Sequence, residues 1–192
     1  MSDLVNMQSF KTFPQLETER LILRAYKSSD LNLMHHIKSD KGVLKYLDRK
    51  PSKDVSETQK SIDLINTSFD EGRAINWIIE LKETHESIGD LGIWNIDFKN
   101  ARGEIGYALR ESAWGKGYMT EALKAVIDFG FNQFNLHSFE ANINPLNNGS
   151  RKLLQRLNFK KEAFFKESYY FDGHFLDSEI YSLIEKWFNE HN

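Results

Sequence analysis

The chain has 192 residues, of which 40% are hydrophobic and 13% aromatic, so it can bury one sizeable core and is not a low-complexity, disordered sequence. Its formal net charge of -3 supplies no strong field for nucleic acid or an anionic membrane, and the absence of cysteine excludes disulfides and thiolate chemistry. No linker or repeat divides the chain, so we expect residues 1–192 to form a single domain. Residues 1–16 lack the continuous apolar run of a signal peptide, which predicts a cytoplasmic protein without nucleic-acid or membrane partners.

The hydrophobic periodicity predicts an α/β protein with strands and helices in mixed order. Residues 21–25 form an apolar strand, after which the Ser-Ser-Asp segment at 28–30 offers side-chain oxygens to cap a first helix. Apolar residues at i, i+3 and i+7 from Ile62 predict a second helix over residues 56–71. The remaining predicted elements are strands at residues 75–81, 87–94 and 104–109, a long helix at 117–134, a strand at 138–143, a helix at 148–157, and two strands around a turn at 171–174.

The connection between the strand at residues 104–109 and the long helix has a composition suited to binding a phosphate. Gly115, Lys116 and Gly117 lead into the helix. The first turn of a helix leaves backbone N–H groups unpaired and positively polarised, and glycines let a ligand approach them closely. Two other interpretations of the spacing stay open. One is a tight connection without a ligand, and the other is a dinucleotide-binding loop with Glu140 as ribose ligand, which lacks its third glycine at Thr120.

Several segments, in order along the chain, resemble a known family. They are L-E-T-E-R-L-I-L-R at residues 16–24, E-I-G-Y at 104–107, W-G-K-G-Y-M-T-E-A-L at 114–123 and N-N-G-S at 147–150. The chain resembles the GNAT superfamily of acetyl-CoA-dependent N-acetyltransferases, and within it the RimJ/RimL-like branch named for ribosomal-protein N-terminal acetyltransferases. The resemblance implies a mixed α/β fold with a central, mostly antiparallel sheet whose middle strands splay apart and which helices flank.

The resemblance also implies that acetyl-CoA is the co-substrate and that residues 114–119 stand in the place of the family's R/Q-x-x-G-x-G/A phosphate loop. Trp114 and Met119 depart from that pattern, so the grip on the diphosphate would rest on backbone amides and on Lys116. The pantetheine arm would lie between the strands at residues 104–109 and 138–143. The cofactor-binding residues predicted in this way are Tyr107, Ala108, Leu109, Trp114, Gly115, Lys116, Gly117, Tyr118, Met119, Thr120, Asn147 and Ser150.

Attack of a neutral amine on a thioester requires a proton acceptor for the amine and a proton donor for the departing thiolate. Glu104 and Glu167 are the candidate catalytic bases, and each has the alternative of a solvated strand end. Ser150, which matches the serine of the family's N-x-x-S element, and Tyr169 are the candidate acids. Ser150 has the alternative role of a helix cap, and Tyr169 that of a packing residue. The histidines show no metal-ligand spacing, so we expect no metal site.

The sequence leaves the acceptor open. The resemblance implies a primary amine, with the N-terminus of a ribosomal or other protein as the first candidate and a small-molecule amine, such as a polyamine or an antibiotic, as an alternative. A CoA-binding regulatory or interaction module without turnover is the alternative from a different functional class. The habit of the family further predicts a homodimer.

Overall fold

The structure is a computed structural model that describes residues 4–190. The first three residues of the segment inspected for a signal peptide, and the last two residues of the chain, lie outside this part. The strands are β1 (Leu16–Glu17), β2 (Leu21–Arg24), β3 (Ile75–Leu81), β4 (Ser87–Asp97), β5 (Arg102–Leu109), β6 (Ser138–Ile143), β7 (Lys160–Phe171) and β8 (His174–Ile184). The helices are α1 (Leu31–Ser39), α2 (Lys41–Leu44), α3 (Val55–Asp70), α4 (Tyr118–Asn132), α5 (Asn148–Arg156) and α6 (Glu185–Asn189), with short 3-10 turns at Met7–Phe10, Ser28–Asp30 and Glu111–Ala113.

Within residues 4–190 the strands form one eight-stranded sheet in the order β1-β2-β3-β4-β5-β6-β8-β7. Neighbouring strands pair antiparallel except β5 and β6, which run parallel. The ladder between β5 and β6 is short, and its last pair joins Glu104 to Glu140. Beyond that pair the two strands separate. This confirms the mostly antiparallel sheet with splayed middle strands that the family resemblance implies.

One face of the sheet packs on α4, whose apolar side chains recur with the period of a helix. Leu123 and Val126 are fully buried in the larger core cluster. Gly130 is required by the same packing, because a Cβ at this position would lie 2.2 Å from the ring of Phe139 on β6. The helix spans Tyr118–Asn132, within the predicted limits of 117–134. The helix begins directly after the connection that carries Gly115 and Gly117.

The helices α1 and α3 cover the opposite face of the sheet. Met34, Ile37 and Ile62 from these helices pack with Ile78 of β3 in a second, smaller core. The side chain of Asp54 caps α3 by accepting a hydrogen bond from the backbone N–H of Glu57, in the first turn of the helix. The two helices thus form a wall that stands over the sheet on the side away from α4.

The prediction that side chains of residues 28–30 cap the first helix is wrong. Asp30 does not cap α1, and its buried carboxylate accepts hydrogen bonds from the guanidinium of Arg24 at 2.8 and 2.9 Å and from the N–H of Lys27 at 2.7 Å. Burial beside a cation favours this ion pair over a cap at the helix surface. The residues 28–30 form a short 3-10 turn instead.

The hairpin of β7 and β8 turns where the sequence predicts it. Asp172 and Gly173 both have positive φ values, of 46° and 90°, as a two-residue hairpin turn requires. The elements β1, α2 and α6, which contain two, four and five residues, were not predicted. Segments of that length are too short to display a hydrophobic period.

Candidate active site

The N-terminus of α4 is shaped to receive an anion. No described side chain caps it, and its N-cap residue Gly117 has a left-handed φ of 81°. Gly115 has a φ of 73°, and a Cβ added there would find no atom within 4 Å. The unpaired N–H groups of the first helical turn therefore face open space, with the positive end of the helix dipole behind them. This geometry suits a bound phosphate better than a closed connection without a ligand.

Residues from the N-terminal T-E-R-L segment hold this helix end in place. Arg20 forms an ion pair with Glu121 at 2.7 Å, donates a hydrogen bond to the carbonyl oxygen of Lys116 at 3.1 Å, and lies 4.6 Å from the centroid of the Tyr118 ring. Thr18 donates to the second carboxylate oxygen of Glu121 at 2.6 Å. Burial alone would raise the pKa of Glu121, but these hydrogen bonds outweigh it and lower the pKa. The segment therefore clamps the loop and the helix together.

Both departures from the family's loop pattern have a structural role. The indole N–H of Trp114 donates to the carbonyl oxygen of Leu109 at 2.8 Å, which fastens the loop to the end of β5. The side chain of Met119 is buried in the core, so this position can offer a ligand its backbone N–H alone. The side chain of Lys116 is exposed. The loop consequently presents main-chain amides and one mobile cation.

A cleft of about 680 Å³ opens where β5 and β6 separate. Tyr107 and Ala108 of β5 line it, as do Asn147 and Ser150 at the start of α5, whereas residues 114–120 lie outside its walls. Within the described residues, β5 has no strand partner on this side beyond Glu104. Its backbone groups are thus available to pair with an extended ligand, in the manner of an added strand.

Two of the predicted site residues meet at this separation. The hydroxyl oxygens of Tyr107 and Ser150 are 2.6 Å apart. Burial raises the pKa of Tyr107 to about 12, although the hydrogen bond with Ser150 opposes it, so the phenol stays protonated at neutral pH. Asn147 caps α5 by accepting a hydrogen bond from the N–H of Ser150 at 3.0 Å. Asn147, and not Ser150, therefore caps this helix. The Ser150 hydroxyl is not used as a cap, and the residue lines the cleft.

The structure separates the two candidate bases. Glu104 lines the cleft where β5 and β6 part, and its Oε2 accepts a hydrogen bond from the amide of Asn95 at 2.7 Å. Glu167 lies in an irregular part of β7, with a φ of 49°, and its backbone N–H donates to Asp177 at 2.8 Å. The side chain of Glu167 is exposed and takes no part in the cleft wall. Glu167 lies in the unpaired stretch between Phe165 and Tyr169, where the register of β7 and β8 shifts.

Tyr169 does line the cleft. Its hydroxyl donates a short hydrogen bond to Oδ2 of Asp48, in the loop after α2. Burial, together with this hydrogen bond, raises the pKa of Tyr169 well above the ordinary range, so its proton is retained at neutral pH. The residue is therefore a proton-bearing group in the wall of the cleft.

Three charged residues of the cleft were missed by sequence reasoning. Lys38 of α1, Arg49 and Asp90 of β4 all line it. The hydroxyl of Tyr26 donates to Oδ2 of Asp90 at 3.0 Å. Burial raises the pKa of Asp90 and lowers that of Lys38. The one available signal was Asp90 itself, a charged residue in an otherwise apolar central strand; Lys38 and Arg49 look like surface charges until the fold brings them to the cleft.

Comparison with known proteins identifies the family. The sequence model described as "Acetyltransferase (GNAT) domain" matches residues 20–160. An uncharacterized N-acetyltransferase, p20, of Bacillus licheniformis is 40% identical over 171 residues, which are 89% of this chain and 96% of p20. The [ribosomal protein uS5]-alanine N-acetyltransferase of Escherichia coli is 29% identical over 180 residues, 88% of this chain and 90% of that enzyme. The structure of RimL, a ribosomal L7/L12 alpha-N-protein acetyltransferase, in complex with coenzyme A matches this one with a TM-score of 0.81 and 26% sequence identity. The match covers 89% of this chain and 98% of the RimL chain.

The fold and these similarities define the class of the protein as an N-acetyltransferase that depends on acetyl-CoA. The chain belongs to the GNAT superfamily, and its relatives place it with the RimJ/RimL-like enzymes, as its motifs predict. In the part of the chain that the structure describes, no three His, Asp or Glu side chains are grouped closely enough to hold a metal ion. No helix between residues 4 and 190 has the length and apolar character needed to cross a membrane.

Proposed function

We propose that this enzyme transfers the acetyl group of acetyl-CoA to the α-amine of a protein N-terminus, with a ribosomal protein as the first candidate. The observation that carries the proposal is the uncapped N-terminus of α4, which follows β5 in the chain, while β5 itself lines the cleft where it diverges from β6. A helix end holds a diphosphate at one place, and an unpaired strand edge holds an extended arm at the other. The similarity to RimL, an alpha-N-protein acetyltransferase, and to the uS5-alanine N-acetyltransferase supports an N-terminal amine as acceptor.

In this proposal the coenzyme is bound mostly by the main chain. The amides of residues 115–120 hold the diphosphate, and Lys116 adds a positive charge from its exposed side chain. The edge of β5 at Tyr107, Ala108 and Leu109 pairs with the pantetheine arm. Acetyl-CoA supplies the activated acetyl group as a thioester. The residues of the chain align that group with the cleft, and an amide of β5 can stabilise the oxyanion that develops on its carbonyl.

In this proposal the acid–base chemistry falls to residues that line the cleft. Glu104 takes the proton from the attacking amine, directly or through a water molecule, while the new N–C bond forms and the C–S bond breaks. Ser150 gives its hydroxyl proton to the departing thiolate and recovers one from Tyr107, whose oxygen is 2.6 Å away. Tyr107 then takes a proton from solvent and Glu104 releases one to solvent, so the net transfer is of one proton from the amine to CoA. Tyr169 is a second proton-bearing group at the cleft wall. Glu167, which the structure leaves exposed, has no part in this scheme.

The proposal is tested by following the release of CoA with a thiol reagent. The chain contains no cysteine, so the protein itself gives no background in this assay. A peptide with a free N-terminus is compared with the same peptide carrying a formylated N-terminus and an internal lysine. We expect CoA release and a mass increase of one acetyl group with the first peptide alone. Acetylation of the lysine peptide only would refute the N-terminal acceptor. A failure of every amine tested to cause CoA release would refute the transferase proposal.

A further inference from the structure

Two cationic side chains line the cleft, Lys38 from α1 and Arg49 from the loop after α2. The carboxylates of Asp48, Asp90 and Glu104 line it as well. No carboxylate oxygen of the described residues lies within 4.0 Å of the Lys38 ammonium or the Arg49 guanidinium. Burial lowers the pKa of Lys38, and the nearby charge of Arg49 lowers it further, although the charge of Asp90 opposes both. Arg49 is exposed, whereas Lys38 is partly buried, so the cost of a desolvated cation without a close partner falls on Lys38.

The other carboxylates of the cleft are engaged with different partners. Asp48 accepts the hydrogen bond of Tyr169, and Glu104 accepts that of Asn95. Neither forms an ion pair with Lys38 or with Arg49. The two cations are thus available to a molecule that enters the cleft.

Asp90 of β4 also lines the cleft. It is the register partner of Ala108, so it lies one strand away from the free edge of β5 where the thioester is expected. Tyr26 donates to one of its carboxylate oxygens, and the other oxygen makes no hydrogen bond to another described residue. An oxygen of this kind can accept a hydrogen bond from an amine.

From this arrangement we infer that the acceptor carries a carboxylate a few bonds from the amine that is acetylated. Asp90 binds the amine, and Lys38 with Arg49 binds the carboxylate. The inference rests on the proposed function as an amine acetyltransferase. A peptide whose second residue is acidic presents this chemistry at a protein N-terminus. A free amino acid presents it too, and would replace the protein N-terminus as acceptor. A polyamine presents a second ammonium group to Lys38 and Arg49, where it is repelled.

Two matched acceptor pairs test the inference. L-serine is compared with L-serinamide, and the amide-capped dipeptide Ala-Asp with Ala-Asn; spermidine serves as an acceptor with no anion. Within each pair the amine is kept and a carboxylate becomes a neutral amide. We expect the carboxylate member of at least one pair to be favoured about tenfold or more in kcat/KM, the effect of one charge-assisted hydrogen bond. A preference within the serine pair indicates a free amino acid as acceptor, and a preference within the dipeptide pair indicates an acidic peptide.

Variants of Lys38 connect that preference to the structure. Lys38→Gln is expected to raise KM for the carboxylate acceptor about tenfold, to leave its KM for acetyl-CoA unchanged, and to erase the preference within the pair. Lys38→Arg retains the charge and should retain the preference. Lys41→Gln is the matched control, because Lys41 is an exposed lysine of α2 that does not line the cleft. Asp90→Asn is expected to raise KM for both members of a pair, since it acts on the amine they share.

The possible outcomes separate this inference from the proposed function. Equal use of both members in both pairs, or better use of spermidine, would overturn the inference while leaving acetyl transfer intact. So would a Lys38→Gln variant that loses as much activity with the neutral member as with the charged one. No CoA release with any of the five acceptors, nor with the free N-terminal peptide, would overturn both.

Discussion

Substitution of Gly117 probes the phosphate loop directly. Its φ of 81° lies in the left-handed region, which Asp and Asn tolerate best among the residues with a side chain. A Cβ at this position would have Arg20 as its nearest neighbour, at 3.5 Å, so a side chain fits without a clash. Gly117→Asp and Gly117→Asn therefore share their shape and backbone strain. They differ by one negative charge beside the amides that should bind the diphosphate.

The size of the effect follows from Coulomb's law. Two unit charges 4 Å apart repel each other by about 1 kcal/mol in water and by about 4 kcal/mol at an effective dielectric constant near 20. Gly117 is exposed, and the guanidinium of Arg20 partly neutralises a new carboxylate, so the lower part of this range applies. We expect acetyl-CoA to bind the Asp variant about tenfold to thirtyfold more weakly than the Asn variant, which corresponds to about 1.4 to 2 kcal/mol. The strain of the left-handed backbone, about 1 to 2 kcal/mol, lowers the stability of both variants alike.

Isothermal titration calorimetry with acetyl-CoA measures the difference. Gly173→Asp is the matched control, because Gly173 also has a positive φ, of 90°, and open space around it, but lies in the β7–β8 turn. This variant should bind acetyl-CoA like the unsubstituted protein. The gap between Gly117→Asp and Gly117→Asn should shrink as salt is added. Equal affinities of those two variants at low salt would show that no phosphate lies at this helix end.

Three further predictions concern the acid–base groups and the buried ion pairs. Glu104→Gln should lower kcat about a hundredfold in steady-state assays, while Glu167→Gln leaves it unchanged because that carboxylate is exposed; the reverse order would exchange their roles. Tyr107→Phe should lower kcat about tenfold or more with little change in KM for acetyl-CoA, and an unchanged kcat would remove it from the proton path. Arg24→Met should lower the free energy of unfolding in urea by about 3 to 5 kcal/mol at neutral pH, since it leaves the buried Asp30 without its cation. Burial alone would raise the pKa of Asp30, but hydrogen bonds led by that of Arg24 lower it, so its contribution is present at neutral pH and lost as the pH falls through the lowered pKa. The difference between the two proteins should therefore narrow below about pH 4, and a constant difference would contradict this assignment.

The parts of the fold that follow from local pattern could be predicted from the sequence. The stripe through Leu123 and Val126 places α4, the alternation in β3 to β5 places the meander, and the Asp-Gly pair at 172–173 places the last turn. Each of these depends on a period or a backbone preference that neighbouring residues display. The role of the Asp30 carboxylate could not be predicted in this way. It binds the guanidinium of Arg24, which lies on a strand, instead of capping the helix that follows it.

The candidate site was less accessible to sequence reasoning. The phosphate loop could be found because glycines and a helix start lie together in the chain. The contact of Tyr107 with Ser150 joins residues from β5 and α5, and no pattern links them. The same is true of Lys38 and Asp90, which only the packing of α1 over β4 brings to one wall. Glu167 shows the converse, since it lies in a local irregularity of β7 that no sequence pattern reveals.

The central claim is that the backbone amides at the start of α4 hold the diphosphate of acetyl-CoA and thereby aim its acetyl group into the cleft. A crystal structure of the protein with CoA tests it most directly. The account predicts the diphosphate within hydrogen-bonding distance of the amides of residues 115–120, and the pantetheine arm along the free edge of β5. Diphosphate density elsewhere on the protein, with this helix end facing only solvent, would contradict it.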